Sequence, residues 1–327
     1  MEKQLTFADL EHESAKRKTK RDKFLEEMNR TIPWKALCAV IEPYYFKNKK
    51  GRPAKGIEKM LRMYLLQIWF SLSDEGLEDA IYDSLSMQKF MGISLMYDGV
   101  PDATTLLKFR RIIEKNKLGE KIFNTINGIL EAKGKIMHGG TIVDATIINA
   151  PSSTKNELNE RDGEMHSTKK GNQWYFGMKA HVGVDAGTGL VHTVTATSAN
   201  VHDIDEAHNL VREDDDVVYG DAGYVGIENR DEITSDEHLN GINWRIGKRP
   251  GKIKKMRRDL NKWCDAREEY LKAKTRCKVE HVFQIMKCIF GFRKVCYKGI
   301  EKNLNRLFMI FSQVNILKMA RIGVSLK

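Results

Sequence analysis

The chain has 327 residues, 41% of them hydrophobic and 30% charged, which suits a soluble protein of two domains with a sizeable core. Its 55 Lys and Arg against 44 Asp and Glu leave a net charge of +11, which points to a polyanionic partner, nucleic acid first. The five cysteines form no CxxC pair and have no His cluster beside them, so free thiols in a reducing cytosol are expected rather than a zinc site. Met1-Glu2-Lys3-Gln4 lacks the apolar core of a signal peptide, and residues 307–320 are too few and too polar to span a membrane.

Residues 11–30 are dense in Lys, Arg and Glu and read as an exposed helix or an arm ordered on binding. Pro33-Trp34 starts a helix toward Ile41. Gly51-Arg52-Pro53 lies in a basic loop, residues 47–55, that resembles a minor-groove reader only weakly; a solvated loop is the plainer reading. Met60, Leu61, Tyr64, Leu65, Ile68, Trp69 and Leu72 make residues 57–72 a nearly all-apolar, buried helix. Ser73 and Asp74 can cap the next helix, through Tyr82, and a short segment covers 87–91. Pro101-Asp102-Ala103-Thr104 opens a helix at 105–114 with Lys108, Arg110 and Arg111 available to face out. Short helices joined by tight turns, the last one basic, suit a helix-turn-helix-like module or a plain bundle. An amphipathic helix at 118–133 and a turn-rich boundary at 134–140 follow.

From Thr141 the periodicity changes from 3.6 to 2. Thr141-Ile142-Val143-Asp144-Ala145-Thr146-Ile147-Ile148 is rich in β-branched residues and bounded by Gly139-Gly140 and Pro151, so it reads as a strand. Val143, Ala145 and Ile147 point one way, Ile142 and Ile148 the other, which makes it a central strand covered on both faces. Asp144 sits in the second set, where an ionised carboxylate is costly unless a cation or a hydrogen-bond network compensates it. Residues 149–172 read as a polar loop. Strands at 177–185 and 190–198 are joined by the hairpin turn Ala186-Gly187-Thr188-Gly189. A helix at 203–211, a short strand at 216–221, a helix at 225–233 and a strand at 242–246 come next. A basic run at 248–262, a long helix at 267–290 and a terminal helix at 302–321 complete the chain. The fold class is α/β: a mixed five-stranded sheet flanked by helices at 137–327, after an all-helical domain at 1–136.

Three carboxylates stand out: Asp144 in mid-strand, Asp221 at a strand's C-terminal end, and Glu280 on the long helix at the edge of its buried face, in line with Arg276, Gln284 and Lys287. Three hard oxygen ligands from separate elements suit two Mg²⁺ or Mn²⁺ ions acting on a phosphodiester. There is no GxSxG elbow and no Walker A sequence.

Several segments, in order along nearly the whole chain, carry a resemblance. They are Gln4-Leu5-Thr6-Phe7-Ala8-Asp9, Val143-Asp144-Ala145-Thr146-Ile147-Ile148, Ala150-Pro151-Ser152-Ser153-Thr154-Lys155-Asn156, Lys169-Lys170-Gly171-Asn172-Gln173-Trp174, Gly177-Met178-Lys179-Ala180-His181, Asp221-Ala222-Gly223-Tyr224, and Arg276 with Val279-Glu280-His281. The sequence thereby resembles the DDE transposases of bacterial insertion sequences, specifically the insertion-sequence-five group. The resemblance implies a ribonuclease-H-like catalytic domain with Asp144, Asp221 and Glu280 as its metal-binding triad. The family pattern around the glutamate, Tyr-x2-Arg-x3-Glu-x6-Lys, is matched by Arg276, Glu280 and Lys287 but departs at Ala273, where the tyrosine is absent. The implied activity is binding of terminal inverted repeats, cleavage of the DNA ends and transfer of the 3′-hydroxyls to target DNA. The implied partner is double-stranded DNA, held by a homodimer or higher oligomer in the cytoplasm at the nucleoid, with no membrane. Two alternatives are a catalytically silent DNA-binding regulator and a ribonuclease-H-like nuclease. Lys155, Lys169, Lys170 and Lys179, interleaved with Trp174 and Tyr175, can grip phosphates and stack a base, or form a solvated loop. Arg276 is expected to hold the Glu280 carboxylate or a phosphate beside it, and Lys287 to bind DNA phosphate next to the scissile bond. Asn200, His202 and Asp203 are read as a helix cap rather than as groups supporting the site.

Overall fold

The structure, a computed structural model, describes residues 17–45, 54–157, 159–256 and 262–327. The segment from Gln4 to Asp9, the Gly51-Arg52-Pro53 loop and part of the basic run at 248–262 lie outside the described residues. The chain divides into two compact units, Met1–Thr125 with Ile316–Lys327, and Ile126–Asn315. The carboxy-terminal segment counts with the first unit, where Leu326 N donates to Thr31 O at 3.0 Å.

The helices are α1 (Lys20–Thr31), α2 (Trp34–Ile41), α3 (Ile57–Phe70), α4 (Asp74–Asp83), α5 (Leu85–Met91), α6 (Ala103–Lys115) and α7 (Leu118–Ala132). Local chemistry sets their ends. Thr19 and Asp22 form a reciprocal capping box at α1. Ser73 Oγ accepts from Gly76 N at 3.0 Å and Asp102 Oδ1 from Thr105 N at 2.6 Å, satisfying first-turn donors of α4 and α6. Ser71, at φ 52°, stops α3 short of Leu72. Edge-on aromatic pairs fill the core of this unit, including Phe24–Trp69, Trp69–Phe90 and Tyr64–Phe109. Arg110 does not face out as the helical pattern suggested. It is 9% exposed, and its guanidinium grips Asp74 at 2.6 and 3.1 Å and Gln67 Oε1 at 3.3 Å. A charged residue at the margin of an apolar stripe turns inward when a distant carboxylate is waiting there.

In the second unit six strands form one sheet: β1 (Thr141–Asn149), β2 (His166–Lys170), β3 (Gln173–Asp185), β4 (Val191–Ser198), β5 (Val217–Gly220) and β6 (Asn243–Ile246). The order β2-β3-β1-β5-β6 makes β1 central, antiparallel to β3 and parallel to β5, while β4 pairs β3. Five strands were expected. The sixth, β2, lies in the stretch read as loop, and β3 starts at Gln173 rather than at residue 177. A two-residue turn, with Gly171 at φ 61°, joins β2 to β3. The strand was hidden because four of its five residues are exposed, which leaves no apolar alternation to read. Gly177 is where β1, β2 and β4 all approach β3; a Cβ there would stand 2.0 Å from Ile148 O.

Residues Asp203–Leu210 form a 3₁₀ helix, not an α-helix. The helix expected at 225–233 is broken by Gly226 at φ 93° into a 3₁₀ turn (Ile227–Asn229) and α8 (Asp231–Thr234), followed by α9 (Glu237–Gly241) and α10 (Pro250–Met256). One apolar cluster unites Val143, Ala207, Leu210, Val218, Tyr224, Ile227, Ile233, Ile242 and Trp244. The long α11 (Trp263–Gln284) packs on β1 and β5 and buries Val279 and Val282. It passes into a π-helical turn at Ile285–Ile289, and α12 (Ile300–Arg321) follows. Among the described residues no helix is long and apolar enough to cross a membrane.

Candidate active site

The β1–β5 register builds the centre of the site. Thr141 lies beside Val218 and Ile142 beside Tyr219. Continued two residues, that parallel register brings Asp144 level with Asp221 on strands about 4.8 Å apart. Asp144 Oδ1 accepts from Ala145 N at 2.8 Å, and Asp221 Oδ1 accepts from Gly223 N at 2.8 Å as it caps the turn Ala222–Tyr224. Burial raises the Asp144 carboxyl to about pH 6; the negative charges of Asp221 and Asp203 push the same way, against the Ala145 N–H and the Arg276 cation. A carboxylate held that high is chiefly one out of water with too little positive charge to offset its burial.

Asp203 is a further acid at this centre. It was expected to cap a helix, but the capping position of its 3₁₀ helix is His202, which makes no side-chain cap bond. The Asp203 carboxylate instead meets Lys179 Nζ at 2.8 Å, and that ammonium also donates to Val201 O at 2.6 Å. The pair pins the loop after β4 to β3. No local signal marks it, because its partners are separated by a whole hairpin.

Arg276 on α11 is near enough for its charge to lower the Asp144 carboxyl. Its Nε is buried without a hydrogen-bond partner, and its Nη1 lies 3.8 Å from where a Cβ on Gly247 would be. Glu280, one turn further along, is exposed and makes no hydrogen bond or ion pair among the described residues. The register therefore brings Asp144 and Asp221 level, and Glu280 stands on the exposed side of α11. Among the described residues, no three His, Cys, Asp or Glu side chains are grouped closely enough to hold a metal ion. Lys287 lies in the π-helical turn, a distortion frequent at functional sites. It donates to Ile147 O at 2.8 Å, and burial lowers its ammonium, with Lys170 and Arg293 adding repulsion.

The other expected contacts lie as follows. Lys108 and Arg111 are exposed on α6, while Arg110 is not. Lys155 is exposed beyond β1, and Lys169 and Lys170 are exposed on β2. Trp174 is 68% exposed, opposite Lys169 in the ladder, with the Lys169 ammonium 6.0 Å from its ring. The hairpin thus presents an aromatic face between cations.

Sequence reasoning passed over Tyr224, three residues after Asp221. It is buried, and its hydroxyl has no hydrogen-bond partner. Burial first, then the charges of Asp144, Asp203 and Asp221, hold the phenol well above its usual range, so it stays protonated.

Residues 136–316 match the family model described as Transposase DDE domain, and residues 13–111 match the one described as Transposase domain (DUF772). No solved structure matches the chain.

Proposed function

The chain belongs to the DDE transposases, proteins of transposition and DNA recombination that bind and cleave nucleic acid and generally use divalent metal ions, and on that premise we propose a specific reaction for it. It binds the terminal inverted repeats of an insertion sequence, hydrolyses the end phosphodiesters and joins the freed 3′-hydroxyls to target DNA. Asp144, Asp221 and Glu280 are the residues that would hold two Mg²⁺ or Mn²⁺ ions. The observation that carries this reading is the Asp144–Asp221 pair: hard oxygen donors, level on neighbouring strands, whose mutual repulsion a divalent cation relieves. Glu280 is the third donor by its place on the helix face that follows Arg276. When bound, such ions activate a water or a 3′-hydroxyl and stabilise the leaving oxygen in line.

The remaining work belongs to this chain's own groups. Arg276, whose Nε is buried and unpartnered, is set to hold a phosphate oxygen or the Glu280 carboxylate by a forked contact. Exposed Lys155, Lys169 and Lys170 take backbone phosphates, and Trp174 offers a stacking face. Lys108 and Arg111 serve the same end on α6. Arg110, Lys179 and Lys287 leave this set, because each already has a partner within the protein.

The test is Asp144→Ala, Asp221→Ala and Glu280→Ala, assayed separately for end cleavage and for DNA affinity. Each variant should lose cleavage and keep binding, since affinity comes mainly from basic residues elsewhere. A variant that cleaves at the wild-type rate removes that residue from the ligand set. A wild-type chain that binds ends without cutting them is instead a silent regulator, and one that cuts without preference for inverted repeats is a nuclease.

A further inference from the structure

The proposed chemistry leaves the first half of α11 unused. The inner side of that half is committed to the fold. Ala266 and Glu269 are buried, and Glu269 accepts from Lys248 N at 2.8 Å and from Lys272 Nζ at 3.1 Å. Glu268 turns the same way, 3.3 Å from the Lys272 ammonium. On the outer side stand Trp263, Arg267, Tyr270 and Lys274, at spacings of four, three and four residues, which set all four on one face of the helix. Trp263 is 67% exposed and Tyr270 47%, and the Arg267 guanidinium lies 5.3 Å from the Tyr270 ring. Neither Arg267 nor Lys274 has an ion-pair partner among the described residues. The neighbouring α10 packs against α11 and exposes Lys252 and Lys254. The face is thus one aromatic–cation pair occurring twice, the copies about 10 Å apart by the helical rise. Exposed aromatics scattered singly need no explanation. Two on one face, each followed a turn later by an unpaired cation, form a pattern that suits a ligand with alternating rings and anions.

We infer that this face binds single-stranded DNA, with a base stacked on each of Trp263 and Tyr270 and backbone phosphates on Arg267 and Lys274. In a duplex each base face is covered by its neighbour in the stack, so exposed rings find nothing there and only the cations can bind. An unpaired strand offers ring faces and phosphates in alternation, as the helix face does. Every base has a π-face, so the surface tolerates any sequence. Its place on the helix says where the strand comes from. Lys274 stands two residues before Arg276 on α11, and Glu280 follows one turn later, so a strand freed at the cut can run back along the same helix. The inference rests on the reading of the chain as an enzyme that opens DNA ends, and it needs no metal ion at this surface.

The experiment follows the full chain binding to labelled inverted-repeat duplexes by fluorescence anisotropy, in EDTA so that no metal chemistry intervenes. The duplexes are either blunt or carry a short unpaired thymidine tail. Wild type should bind the tailed duplex more tightly than the blunt one. Trp263→Ala and Tyr270→Ala should each lower affinity for the tailed duplex about tenfold. Blunt-duplex affinity and the unfolding midpoint should hold, because both side chains are exposed. Trp263→Phe, which keeps a ring, should retain most of the tail's contribution. Arg267→Gln and Lys274→Gln should each reduce the log–log salt slope for the tailed duplex by about 0.7. A Trp263→Ala/Tyr270→Ala protein that binds the tailed duplex like wild type overturns the inference. Equal losses on tailed and blunt DNA make the face a duplex contact and overturn it too. So does a smaller assembly on gel filtration with unchanged tailed-duplex affinity, which makes the face a contact between copies of the chain. A wild type that binds both duplexes equally sinks this inference alone, whereas one that binds neither sinks the functional reading with it.

Discussion

Arg110→Ala separates a structural arginine from a DNA contact. The guanidinium makes two bonds to Asp74, at 2.6 and 3.1 Å, and a third to Gln67 at 3.3 Å, and its Nε lies 3.7 Å from Glu114. Truncation removes the cation from the Asp74 carboxylate and leaves it the buried Gln67 amide, whose Nε2 donates to Asp74 Oδ1 at 2.6 Å. Breaking a fully buried pair costs about 3–5 kcal/mol. The Asp74 side chain is 29% exposed, so water recovers part of its solvation, and the expected cost is about 2–3 kcal/mol. In a unit of this size that lowers the unfolding midpoint by roughly 10 °C. Circular dichroism during heating measures it. Asp74→Ala should cost a similar amount, and the double variant less than the two together, because the second change removes a contact already lost. DNA affinity measured well below the midpoint should match wild type. An Arg110→Ala protein that unfolds at the wild-type temperature and loses affinity for inverted-repeat DNA would refute the reasoning and restore Arg110 as a phosphate or base contact.

The remaining predictions concern charge and pH. End-DNA affinity should fall steeply with salt, each phosphate contact adding about 0.9 to the log–log slope; a flat response from low to physiological ionic strength would mean that the +11 charge is no DNA footprint. His192 should make the second unit acid-sensitive. Thr141 Oγ1 gives its hydrogen to Asp215 at 2.5 Å, so it must accept from His192 Nε2 at 2.9 Å, and Nδ1 then accepts from Thr193 Oγ1 at 2.9 Å. Burial, with Arg212 adding to it, lowers this imidazole to about 3. The unfolded chain takes up that proton below its ordinary value near 6.5 while the folded chain does not. The contribution is therefore complete above pH 6.5 and is lost as pH falls toward 3, about 2 kcal/mol of it by pH 5. His192→Gln should unfold with a shallower pH dependence between 6.5 and 4; an unchanged profile would show that His192 is not the group titrating.

Local sequence determined a good deal of this protein. β1 was legible because β-branched residues alternate between two flanking glycines and a proline, and Asp144 stood out as a charge inside that pattern. The caps at Ser73 and Asp102 were legible because a capping side chain bonds backbone only three residues away. The α/β class and the DDE family followed from ordered motifs, and the matches over 136–316 and 13–111 agree with them. Tertiary structure alone decided the rest. Arg110 turned inward to a carboxylate 36 residues earlier, and Asp203 turned from a cap to a partner of Lys179 on β3. β2 is an exposed edge strand with no hydrophobic period, and Tyr224 is an ordinary core aromatic until its hydroxyl is found buried without a partner. Local patterning records which face a residue occupies and which backbone group it can cap. It does not record which charge waits across the core, because that partner is chosen by strand register and helix packing, and a few ångströms decide whether an ionised group is paired, buried or bound to solvent.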